Sequence, residues 1–146
     1  MALDKTVFEA LLTEKELPFD YTQIEGGHHL YRFKFKASQS RVLIVEVIVQ
    51  ETEESFGDAQ IIYRHVHMMS NFNKQAAALE LINELNEMKT GYYALHLAGD
   101  GEIFLRNLMR VGQDPQPLYE TLVVGSGIAR SLQEPLTAQL GESAPV

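Results

Sequence analysis

The ten residues from 41 to 50 constrain this chain more than any other stretch. Val42, Ile44, Val45, Val47, Ile48 and Val49 are β-branched, Leu43 is apolar, and Glu46 alone interrupts the run. β-branched residues fit a pleated strand, and side chains alternate across it. One face is therefore Leu43, Val45, Val47 and Val49. The other is Val42, Ile44 and Ile48, broken by Glu46. A strand that is apolar on both faces calls for cover on both. The second cover has to come from a helix of the same chain, a twin subunit or a bound peptide.

Size limits the first of these sources. A chain of 146 residues predicts one domain, large enough for its own core. The domain is expected over 1–135, with 136–146 as a flexible tail after Pro135. Elsewhere the periodicity predicts helices at 3–16, 72–89 and 117–133. The stripe of the middle one is Ala78, Leu81, Ile82, Leu85 and Met88. Strands are predicted at 28–37, 59–69, 92–97 and 102–109, with a further extended run at 19–24. Gly99-Asp100-Gly101 suits a tight hairpin turn. Clustered strands flanked by helices read as α+β with an antiparallel sheet.

Charge and composition narrow the partners. Twelve Lys and Arg against twenty Asp and Glu give a net charge of -8. General nucleic-acid binding needs a basic footprint, so none is expected. No stretch approaches the about 20 apolar residues of a membrane span, and charges interrupt the first residues where a signal peptide would be apolar. The expectation is a cytoplasmic protein that does not bind membranes. With no Cys in the chain, thiolate zinc sites and a Cys nucleophile are excluded.

Few residues form a constellation with chemistry. His65 and His67 lie two apart, which on a regular strand puts both on one face. A metal needs three or four converging ligands, and the spacing lacks a zinc signature, so no metal is expected. Gly125-Ser126-Gly127 lacks the flanking context of a nucleophile elbow or a phosphate loop. It predicts a close approach to another backbone or a local break in the last helix. Glu46 could be a desolvated general acid or base, but pairing with a base such as Arg64 is the simpler expectation. Asn83 and Asn86 could bond to a neighbouring helix or to the following strand. No motif stands in catalytic context, so no catalytic residue and no cofactor is expected.

Two binding readings remain. In the first, Val42, Ile44 and Ile48 form an apolar patch, with Arg32, Lys34 and Lys36, part of a basic run that continues to Arg41, nearby to meet an acidic polypeptide. Patches of this kind mark interaction sites, and two-fold self-association is the commonest oligomer, so a homodimer that also binds a protein partner is expected. In the second, Glu46, His65 and His67 line a small pocket of a ligand-sensing regulatory domain.

The helix Ala78-Leu79-Glu80-Leu81-Ile82-Asn83-Glu84-Leu85-Asn86-Glu87 resembles the Leu-Leu-x-x-Leu-Asn-x-x-Asn helix of YbjN-like proteins. That family is similar in fold to class I type III secretion chaperones. The likeness takes in the element order, the hairpin from Tyr92 to Met109 and the final helix, over most of residues 1–133. It implies an α-β-β-β-α-β-β-α fold, a homodimer and no catalysis. Binding of an effector chain is implied for the true chaperones only. The segment Gly125–Gly127 departs from the family pattern.

Overall fold

The computed structural model describes residues 2–145. Its elements are α1 (Lys5–Glu14), β1 (Asp20–Gln23), β2 (His29–Ser38), β3 (Arg41–Val49), β4 (Gly57–Met68), α2 (Gln75–Met88), β5 (Ala94–Leu97), β6 (Glu102–Val111), α3 (Gln116–Ser131) and α4 (Gln133–Leu140). The strands form one antiparallel sheet in the order β1-β2-β3-β4-β6-β5. The α+β class expected from the sequence holds. The extended run expected at 19–24 is a strand, β1, so four strands precede α2 rather than the three of the expected order, and α4 adds a helix at the end.

The alternation of β3 divides the sheet as its sequence predicts. Leu43, Val45, Val47 and Val49 are buried, together with Tyr31 and Phe33 of β2, Ile61 and Tyr63 of β4, and Ile103 and Leu105 of β6. All four helices pack onto this face. Phe8 and Leu12 of α1, Ala78, Leu81, Ile82 and Leu85 of α2, Leu118, Leu122 and Ala129 of α3, and Leu136 and Leu140 of α4 share one core with it. Fully burying a side chain of this size contributes about 1.5–3 kcal/mol. Met88, expected in the α2 stripe, is 71% exposed.

Local chemistry fixes the ends of the elements. Asp4 caps α1 by accepting the Thr6 amide at 2.7 Å, which satisfies a donor that the first turn leaves free. Asn86 on α2 reaches the outer edge of β5. Its amide donates to the Leu95 carbonyl at 3.2 Å and its oxygen accepts the Leu95 amide at 2.7 Å. One side chain thus imitates a neighbouring strand, while Asn83 stays exposed.

The expected flexible tail after Pro135 is corrected. Pro135 is the third residue of α4, where the missing N–H would have had no partner in any case. Leu136 and Leu140 then bury their side chains. Beyond the helix, the Ser143 hydroxyl accepts the Met68 amide at 2.9 Å, and the Ala144 amide donates to the Met68 carbonyl at 2.9 Å.

Gly125 and Gly127 lie inside α3 and do not break it. The close approach made by Gly125 is to a side chain. A Cβ there would stand 2.7 Å from the ring of Tyr63, whose hydroxyl donates to the Leu122 carbonyl one turn back.

Candidate functional site

Among the described residues the second face of the sheet carries no helix, and β2, β3, β4 and β6 present their alternate residues on it. The register lines up Arg32, Glu46, Ile62 and Arg106 in one row across the strands. The next row is Leu30, Ile48, Gln60 and Leu108. Lys34 stands opposite Ile44, and Lys36 opposite Val42. The six residues expected to bind a partner therefore do share one surface. Val42 is 62% exposed and Leu108 66%; Ile44, Ile48 and Ile62 are half-buried.

An ion-pair chain runs through the middle of this face. Glu46 accepts from Arg32 Nε at 2.9 Å and from Arg64 Nη1 at 3.0 Å. Arg64 also grips Glu102 with Nε at 2.9 Å and Nη2 at 3.0 Å, the two-pronged geometry that makes such pairs strong. Glu102 further accepts the His65 amide at 2.9 Å. Burial pushes the Glu102 carboxyl up, but the bonds from Arg64 and His65 and their charges outweigh it and hold the group below its ordinary value. Glu46 is thus engaged by two guanidiniums, the simpler of the two roles expected for it.

The expected pocket of Glu46, His65 and His67 does not form: Glu46 lies opposite Ile62 on the open face, His67 is buried on the helix side in step with Tyr63, and a bulge takes His65 out of the alternation. Tyr63 pairs with Leu105 and His67 with Ile103. β4 therefore takes four steps where β6 takes two, and the alternation that would have put both imidazoles on one face is lost. His65 adopts φ +52° and stays partly exposed, with Nδ1 3.7 Å from Glu102. His67 is 1% exposed, and its Nε2 has no hydrogen-bond partner among the described residues. Burial first, then the Arg41 charge, lowers its pKa from the ordinary 6.5, opposed by Glu142.

The bulge exposes backbone carbonyls that Arg41 satisfies. Its Nη2 donates to the His65 carbonyl at 2.6 Å, and Nη1 to the Val66 carbonyl at 2.8 Å. Gln133 of α4 donates to the same Val66 oxygen at 3.1 Å and accepts from Arg41 at 2.8 Å. Arg41, the last member of the basic run, is thereby a structural clamp.

A groove of about 670 Å³ opens at the far end of the face, lined by residues that include His28, Ile48, Asp58, Gln60, Leu108 and Arg110. His28 lies here, away from His65. Among the described residues, no three His, Asp or Glu side chains converge as a metal would require. Nor is any helix of the described residues long and apolar enough to cross a membrane.

The charge of this face departs from that of the chain. It carries six of the twelve cations, Arg32, Lys34, Lys36, Arg64, Arg106 and Arg110, against four of the twenty acids, Asp20, Glu46, Asp58 and Glu102. Among the described residues, Lys34, Lys36 and Arg106 have no carboxylate partner. Ile62, Arg106 and Leu108 were not among the residues expected here. The alternation of 102–109, Ile103 and Leu105 in and Arg106 and Leu108 out, carried the signal for the last two. A comparison with protein-family models found no match, and a comparison with curated proteins found none.

Proposed function

We propose that this chain is a non-catalytic, chaperone-like binding module that receives a segment of a partner polypeptide on its open sheet face. The observation that carries this reading is the uncovered apolar stripe of Val42, Ile44, Ile48 and Ile62 on a sheet whose helices all lie on the other side. A sheet face with such a stripe gains by being covered. The carboxylates nearest the stripe, Glu46 and Glu102, are held by arginine, which suits a fixed electrostatic surface better than proton transfer. The resemblance to YbjN-like proteins supports the same reading and adds a homodimer.

Site-specific photocrosslinking in the producing cell tests the proposal. A benzophenone side chain at position 44 is expected to trap another protein, whereas the same probe at Val123, 46% exposed on α3, is not. Ile44→Asp is expected to abolish the adduct of a probe at position 108 while circular dichroism and sedimentation stay unchanged. Equal adducts at 44 and 123, or an Ile44→Asp chain that still forms them, would sink the proposal.

The groove beside Ile48 and Leu108 favours a second reading, a small-ligand sensor. A thermal-shift screen separates the two, because a small molecule that binds only the native state raises its melting temperature.

A further inference from the structure

We infer that the occupant of the open face is an acidic amphipathic helix of a partner chain, laid along β3 and β4; this rests on the docking role proposed above. Three independent features lead there.

The first is backbone chemistry. β3 and β4 are interior strands, and where their shared ladder runs, over Val45–Val49 and Ala59–Tyr63, their N–H and C=O groups are spent on β2, β6 and each other. A segment lying on their face receives only side-chain contacts and must satisfy its own backbone. A helix does so internally.

The second is shape. Val42, Ile44 and Ile48 run down β3 with the arginine-paired Glu46 between the last two, and Ile62 lies beside Glu46 on β4. Lys34 and Lys36 border this stripe from β2, and Arg106 from β6. Strands about 4.8 Å apart put β2 and β6 about 14 Å from each other. A helix with its side chains is about 10–12 Å across, so the cations stand on both of its flanks. The nine residues of β3 cover about 30 Å, the length of about 20 helical residues.

The third is charge. The face holds half of the chain's cations and a fifth of its acids, so it is cationic on a molecule of net charge -8. The same surplus on a second copy would repel it. A nucleic acid would leave the apolar stripe uncovered. An acidic helix with one apolar stripe fits both features together.

The test uses the full chain and three synthetic helical peptides of about 20 residues that share one leucine stripe. Their flanks carry Glu, Gln or Lys, and binding is read by fluorescence anisotropy. The Glu peptide is expected to bind at least about tenfold tighter than the Gln peptide, a preference that weakens as salt screens the charges. Lys34→Glu/Lys36→Glu, at exposed positions that spare the core, is expected to remove that preference and to favour the Lys peptide. Equal binding of the Glu and Gln peptides, both abolished by Ile44→Asp, would overturn the acidic occupant and leave the docking face standing. No binding of any peptide would overturn the helical occupant, and the crosslinking result at position 44 then decides the docking face separately. Tighter binding of a single-stranded oligonucleotide overturns the inference, as does a wild-type dimer that Leu108→Asp dissociates.

Discussion

Gly125 and Gly127 stand two residues apart in α3, and the same substitution is expected to move stability in opposite directions at the two sites. In open space, Gly→Ala in a helix gains about 1 kcal/mol. A Cβ at Gly127 would meet nothing within 4 Å among the described residues, so Gly127→Ala should raise the unfolding free energy by that amount, and the urea midpoint with it. Gly125 lies against the Tyr63 ring, and overpacking a fixed neighbour costs about 1–3 kcal/mol. Gly125→Ala should therefore lower the midpoint, and a gain at 125 would refute the contact. The local sequence argued against catalysis at both glycines but could not tell them apart, because the partner, Tyr63, is 62 residues away in the chain. Glu46 was more legible: a lone carboxylate in an apolar strand needs a base, and Arg64 was within reach on the same sheet. His65 left the face it was expected to share with His67 because strand parity holds only while no residue is inserted.

That insertion makes β4 the element with the most to test. Its bulge persists because Arg41, at the start of β3, and Gln133, on α4, take up the freed carbonyls. Hydrogen bonds to a charged group contribute about 1.5–3 kcal/mol. Arg41→Met keeps the apolar stem and removes those donors, so it should cost about 2–4 kcal/mol on that scale. Amide exchange should quicken first near His65 and at the end of α4. Uniform exchange with an unchanged midpoint would show that the clamp is idle. Most elements were legible from period alone, as the clean alternation of β2 and the 3–4 spacing of α2 show. The helix α4 was not, and β1 was legible only as an extended run at 19–24. β1 has four residues, mostly exposed, and so has almost no pattern to read. In α4 the proline reads as a stop unless it is known to lie in a first turn, where no bond is lost.

The whole fold should have a stability plateau bounded on both sides of neutral pH. Burial lowers the pKa of His67 and of His96, with Arg41 and Arg106 adding to it respectively. The unfolded chain takes up those protons first, so stability falls as pH drops below 6.5. Glu102, held below 4.5 in the folded state, adds a second loss at lower pH. Burial raises the phenols of Tyr31, Tyr63 and Tyr93, so the alkaline loss begins above pH 10, where the unfolded chain ionises first. Melting temperature measured across pH should be highest between about 7 and 9. His67→Gln should flatten the first acid step, and an unchanged acid limb would remove His67 from this account. The two borders of the sheet have a different consequence. Asn86 occupies the outer groups of Leu95 on β5, whereas among the described residues β1 has no strand on its outer side. Growth by strand addition is then one-ended. Two molecules that met border to border through β1 would each use up the growing end of the other, and the union would stop at a pair. A chain built this way can join a twin or a guest without seeding a fibre.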